Sequence, residues 1–163
     1  MKTIYFAGGC FWGTQKFFDQ FSGILETEVG YANGPEEAPS YQEVCLGSGH
    51  AETVRIRYDE KRITLSELVN YYFMIIDPVS VNRQGFDIGI QYRTGIYYTD
   101  EEQLIEIRKV YEAKEKVLGE KFAVELLPID NFYSAEEYHQ KYLDKNPGGY
   151  CHIPGKYLRL NRR

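Results

Sequence analysis

Residues Gly8-Gly9-Cys10-Phe11-Trp12-Gly13 put a thiol where an apolar segment, Thr3 to Ala7, gives way to a helical pattern. A cysteine on the first turn of a helix meets backbone N–H groups without intrahelical partners, and the positive end of the helix dipole. Both favour the thiolate, the nucleophilic form. Phe11 and Trp12, the latter the single tryptophan, add an apolar, π-rich wall suited to a small uncharged group. The combination points to covalent catalysis by Cys10. Glu52, in His50-Ala51-Glu52, enters a strand. If it faces that wall, desolvation would raise its pKa and keep it protonated. Cys151 sits in a glycine-rich stretch, Asn146-Pro147-Gly148-Gly149-Tyr150-Cys151, where it is either an incidental exposed thiol or a second redox group.

The elements that must position these groups fit one domain, residues 1–163, long enough to bury a substantial core. Net charge is −5, and no basic block occurs before Asn161-Arg162-Arg163, which argues against nucleic acid as a partner. No apolar run approaches the ~20 residues of a membrane span. No charged segment followed by an apolar one opens the chain, so no cleaved signal is indicated and the cytoplasm is expected. Three cysteines, Cys10, Cys45 and Cys151, are an odd number for a disulfide scaffold and read as free or catalytic thiols, with Cys45 structural. His50, His139 and His152 lack metal-ligand spacing with them, so no metal site is expected. The 15 tyrosines suit an aromatic core with polar tips or a tyrosine-lined pocket.

Along the chain, Thr3 to Ala7 predicts a strand and Phe11 to Phe21 a helix. Leu25, Thr27, Val29 and Tyr31 show strand alternation, and residues 32–50 read mainly as loop. Val54, Ile56 and Tyr58 mark a half-buried strand. Thr64 with Glu67 has capping-box spacing before a helix that Asp77-Pro78 ends. A loop then runs to about Gly89. Gln91 to Tyr98 reads as a strand, and Thr99-Asp100 caps a long helix stopped by Gly119. Phe122 to Leu127 reads as a last strand, and Ser134 with Glu137 as a capping box opening a helix to about Leu143. The order β-α-β-β-α-β, then helix, strand and helix, predicts an α+β fold. Its expected form is a two-layer ferredoxin-like plait with an extra C-terminal helix and an irregular tail, 146–163.

The Cys10 segment, Gly30-Tyr31, His50-Ala51-Glu52, the block Asp77 to Arg93, and Phe132-Tyr133 with Tyr138-His139 follow one another over nearly the whole chain. In this the chain resembles the A-type peptide methionine sulfoxide reductases. The resemblance implies thiol-dependent reduction of methionine (S)-sulfoxide, free or in peptides and proteins, by a monomer needing no metal or organic cofactor. It implies that Cys10 attacks sulfur and Glu52 is the general acid, because S=O is a poor electrophile until its oxygen is protonated. Phe11 and Trp12 would hold the methyl group, Tyr41 and Tyr92 would bond the oxygen, and Asp87 would position the substrate. Cys151 would resolve the Cys10 sulfenic acid as a disulfide, which a thioredoxin-type dithiol would reopen. The tail has a single cysteine, where some members relay through two, and Phe86 replaces a residue that is commonly Asn.

Two other classes compete. A cysteine hydrolase or acyltransferase would activate Cys10 through His50 or His139 and form a stable acyl adduct. A non-enzymatic peptide-binding module would grip apolar side chains whatever the oxidation state of Cys10. Neither accounts for the Cys10 segment together with a cysteine in a glycine-rich tail.

Overall fold

Period-two alternation in the N-terminal half folds into the centre of a mixed sheet. In the computed structural model, which describes residues 1–35 and 37–160, β1 (Lys2–Ala7) leads through α1 (Phe11–Asp19) to β2 (Ile24–Ala32). α2 (Tyr41–Cys45), β3 (Ala51–Tyr58) and α3 (Leu65–Met74) follow, then a small hairpin of β4 (Arg83–Gln84) and β5 (Asp87–Ile88). β6 (Gly95–Tyr98), α4 (Glu101–Leu118), β7 (Glu125–Pro128), β8 (Phe132–Ser134) and α5 (Tyr142–Lys145) complete the order. The large sheet runs β7-β6-β1-β3-β2-β8. Its neighbours are antiparallel except for β6 and β7, which are parallel. The basic end at Asn161-Arg162-Arg163 lies outside the described residues.

One face of the sheet carries Ile4, Phe6, Val29, Tyr31, Val54, Ile56 and Ile96 against Phe17 and Phe18 of α1 and Leu68, Val69 and Tyr72 of α3, all fully buried. Each such side chain contributes roughly 1.5–3 kcal/mol. Phe6 stacks between Phe18 and Tyr72, with ring centroids 5.1 and 4.8 Å away. The Tyr72 hydroxyl donates to the Ala7 carbonyl at 2.6 Å and accepts from the Gly95 N–H at 3.1 Å. It thereby fixes the end of β1 that delivers Cys10. On the opposite face, Glu26 and Glu28 stand across from Arg57 and Arg55 as ion pairs. Pairs this exposed add little stability, but they reinforce the register that keeps Val54 and Ile56 inside.

The β2–β8 edge is close-packed at Gly30, where a Cβ would stand 2.5 Å from the Tyr133 carbonyl oxygen and 2.5 Å from Phe132 Cζ. Gly30→Ala is expected to lower unfolding stability by about 1–3 kcal/mol, the usual cost of overpacking. An unchanged urea midpoint would refute that close approach.

Local signals held where nothing tertiary competed. Thr64 and Glu67 form a reciprocal capping box, Asp100 accepts from the Gln103 N–H, and Gly119 closes α4 in the left-handed conformation. Elsewhere the structure corrects the sequence reading. Helix α1 stops at Asp19, and α3 stops at Met74, before Asp77. Leu25 is half exposed because the β2–β3 register shifts between Ile24 and Glu26. The stretch expected to be loop holds α2, opened by a Ser40–Glu43 capping box. Residues Ile90–Tyr92 form a 3₁₀ turn and the strand starts only at Gly95, because the Tyr92 carbonyl accepts from the Gly9 N–H at 3.2 Å. The strand expected at Phe122 begins at Glu125.

Ser134 and Glu137 open no long helix. The Ser134 hydroxyl bonds Glu28, the Ala135 N–H bonds the Val29 carbonyl, and Gln140 bonds both polar groups of the Val29 backbone. The free edge of β2 claims this segment, leaving a 3₁₀ turn at Glu137–His139 and the short α5.

Candidate active site

The turn from β1 into α1 is made by Gly9 at φ +76°, a left-handed conformation that disfavours a side chain. Cys10 follows as the N-cap of α1, but its side chain makes no capping bond. The helix end is served from elsewhere. The Cys10 N–H donates to Asp87 Oδ2 at 3.4 Å, and the Phe11 N–H to Glu52 Oε1 at 3.2 Å. Residues 52 and 87, remote in sequence, therefore meet at the thiol. Asp87 arrives there because Gln84, nearly fully buried, folds its loop by bonding the backbone of Asp77 and Arg83.

Electrostatics at Cys10 run against the sequence expectation. The thiol is 7% exposed. Burial pushes its pKa far above the ordinary thiol range, and the charge of Glu52 adds to this; the Trp12 N–H pulls the other way, and Asp87 adds a smaller rise. Two carboxyl groups occupy the helix end that was to favour the thiolate. Glu52 is 1% exposed, and burial pushes its carboxyl up to about 8, with the Phe11 N–H opposing and Asp87 adding to the rise. Its second oxygen, Oε2, is buried with no hydrogen-bond partner. A neutral carboxylic acid with an uncommitted O–H beside a thiol can donate a proton to a bound oxygen.

Tyr41 and Tyr92 both face this carboxyl, and burial followed by the charge of Glu52 raises both phenols. Glu136 holds Tyr41 in place, accepting its N–H at 3.0 Å on one oxygen and the Tyr31 hydroxyl at 2.7 Å on the other. Burial works against the charge of Glu136, but those two donors prevail and lower its pKa. Phe11 is 1% exposed, packed against Tyr31 and His139, so Trp12 is the ring with open surface. Trp12 stacks on Tyr142 at 3.7 Å and donates from Nε1 to His139 Nδ1 at 3.0 Å. Gln15 holds that wall by bonding Thr27 and the Lys141 N–H.

The sequence reading named His139 only as a possible activating base in the hydrolase alternative and gave it no role in the reductase site. It is 1% exposed, its ring touches Phe11, Trp12 and Tyr41, and its Nε2 has no partner. Its one sequence signal was its place in Tyr138-His139. His50 lies elsewhere, against Ser48 and Tyr133.

The tail brings Cys151 to the same place. Its Sγ packs on Gly13, where a Cβ would stand only 2.8 Å from the sulfur. Cys10, Cys45 and Cys151 are free thiols. No group of three or more histidine, cysteine or acidic side chains able to hold a metal ion occurs among the described residues. No helix among them is long and apolar enough to cross a membrane.

Comparison with known proteins agrees with this geometry. The family model described as peptide methionine sulfoxide reductase matches residues 2–162. The chain is 53% identical over 160 residues, 98% of this chain and 99% of the relative, to peptide methionine sulfoxide reductase MsrA of Clostridium acetobutylicum. It superposes on Mxr1 from Saccharomyces cerevisiae in reduced form with a TM-score of 0.89 at 43% identity, covering 94% and 91% of the two chains. A structure of Mxr1 in complex with Trx2 is also similar, with a TM-score of 0.62 at 31% identity, covering 86% and 84%.

Proposed function

The chain belongs to the peptide methionine sulfoxide reductase family, and on that premise we propose that it reduces methionine (S)-sulfoxide, free or in peptides and proteins, through Cys10. The observation that carries the reading is the carboxyl of Glu52. It is buried and raised to about 8, bonded through one oxygen to the Phe11 N–H, and its other oxygen is uncommitted. In the first step Trp12, with Phe11 behind it, holds the substrate's methyl group while Tyr41 and Tyr92 bond the sulfoxide oxygen. Glu52 protonates that oxygen, Cys10 attacks the sulfur as the thiol proton passes to Glu52, and the substrate S–O and new S–S bonds then break as the hydroxyl passes to the Cys10 sulfur and methionine leaves. The balance is Cys–SH plus R₂S=O giving Cys–SOH plus R₂S. Substrate sulfur gains two electrons, Cys10 sulfur loses two, and no outside oxidant or reductant enters. Asp87 fixes the Cys10 backbone and orients the substrate.

In the second step Cys151 attacks the sulfenic sulfur. The S–O bond breaks, the S–S bond forms, and water leaves. A cleft of about 260 Å³ between Lys16, Pro147 and Leu158 opens onto Cys151 and suits the approach of a reducing thiol. The yeast relative's complex with Trx2 supports a thioredoxin-type dithiol as that reductant. The reading includes a single domain over residues 1–163, acting as a monomer in the cytoplasm. It takes the antiparallel strands β6-β1-β3-β2 as a ferredoxin-like plait widened by β7 and β8.

A racemic methionine sulfoxide peptide incubated with the protein and dithiothreitol tests the reaction. Chiral chromatography is expected to show the S epimer falling while the R epimer persists. If neither epimer falls, the reductase reading is lost.

A further inference from the structure

His152 is a buried titratable group that this mechanism leaves unused. Its side chain is only 6% exposed, yet neither ring nitrogen has a hydrogen-bond partner. The ring lies over the start of α1. Its Nε2 is 2.8 Å from the place a Cβ of Gly9 would take, and its Cε1 is 3.5 Å from the corresponding place at Gly13. Two glycines thus make room for the imidazole on either side of Cys10, and Gly13 also makes room for Cys151 Sγ.

The neighbouring carboxylate is Asp87, whose Oδ2 is 3.9 Å from His152 Nδ1 and 3.4 Å from the Cys10 nitrogen; burial lowers the imidazole's pKa, with Asp87 opposing. The Gly8 backbone also faces the ring. The Tyr150 hydroxyl faces the same carboxylate, and burial together with Asp87 pushes that phenol up to about 12. The residues on both sides of Cys151 therefore converge on one carboxylate, the one that also touches the backbone of Cys10.

We propose that His152, with Tyr150, is a positioning residue that docks the recycling tail on Asp87 and keeps Cys151 seated on Gly13 for attack on oxidised Cys10. This rests on the reductase reading and extends it to the recycling step. Asp87 serves both halves of the cycle, orienting the substrate in the first and the resolving cysteine in the second.

The test separates the two steps in the full-length protein. Wild type, His152→Ala, His152→Gln and Tyr150→Phe are mixed with excess methionine sulfoxide without reductant. Methionine released in the first turnover and loss of free thiols are followed by rapid quench. His152→Ala is expected to release its first methionine at the wild-type rate but to form the Cys10–Cys151 disulfide about tenfold more slowly, as misplacement of a reacting group does. Gln, which keeps a side-chain donor for Asp87, is expected to recover most of that rate, and Tyr150→Phe to slow it less than Ala does. Disulfide formation at the wild-type rate in His152→Ala would overturn the proposal. So would equal losses in Ala and Gln, or a first turnover that slows in parallel. Absence of any methionine from wild type would instead remove the reductase reading and leave the tail geometry to be explained afresh.

Discussion

A Cys10→Ser variant is expected to release no methionine above the uncatalysed background, in a first turnover as well as in steady state. A serine hydroxyl is a far weaker nucleophile than a thiol, and its oxygen cannot accept oxygen from the substrate as sulfur does in forming a sulfenic acid. The substitution is conservative for the fold. Cys10 occupies the N-cap of α1 without making a capping bond, and serine is among the preferred residues there. Stability is therefore expected to hold or to rise by up to about 1 kcal/mol, so a lost activity reports chemistry and not unfolding. Mass spectrometry after exposure to sulfoxide is expected to show wild type losing two thiols to a disulfide while Cys10→Ser loses none. Methionine release by this variant at a tenth of the wild-type rate would mean that another group performs the attack.

The environment of Cys10 illustrates what a sequence conveys and what it withholds. That a cysteine sits at a strand-to-helix junction was readable, because the Gly8-Gly9 turn and the adjoining aromatics are neighbours along the chain. That the helix end would favour the thiolate was not borne out. The decisive partners come from residues 52 and 87, and their carboxyl groups occupy the first N–H groups of α1. The same contrast runs through the fold. The capping-box spacing recurs along the chain with different outcomes. It opens α3 at Thr64 and α2 at Ser40, but not a helix at Ser134, where the edge of β2 supplies better partners for the backbone. His139 was illegible for a related reason, since its partners Trp12, Phe11 and Tyr41 are assembled only by the packing of α1 and α2 against the segment after β8. Local chemistry can be read along the chain, whereas competition among distant partners can be read only from the packed structure.

Glu52→Gln is expected to slow the first turnover by about 10²–10⁴-fold, the usual contribution of a positioned general acid. Glutamine keeps the shape and can still accept from the Phe11 N–H, but it has no proton to give to the sulfoxide oxygen. The pH dependence follows from the raised carboxyl. Wild type is expected to hold its first-turnover rate below pH 8 and to lose it above, as Glu52 ionises near its folded value of about 8. The new charge also makes the neighbouring Cys10 thiol harder to ionise. The residual rate of Glu52→Gln has no acid to lose and is expected to lack that fall.

Stability must move in the corresponding sense. The folded protein keeps the Glu52 proton up to about 8, whereas the ordinary carboxyl value is 4.5. Between these values the folded state binds more protons than the unfolded state, so stability declines as pH rises through the window. Glu52→Gln removes this decline. Its stability relative to wild type is expected to grow from pH 5 to pH 9 by a few kcal/mol on the order-of-magnitude scale of such linkage. Urea titrations of both proteins across that range provide the check. Parallel stability curves would show that the carboxyl is already ionised in the folded protein at neutral pH. The proton that makes S=O electrophilic would then have to come from a phenol, Tyr41 or Tyr92, and those two groups would exchange roles with Glu52 in the first step.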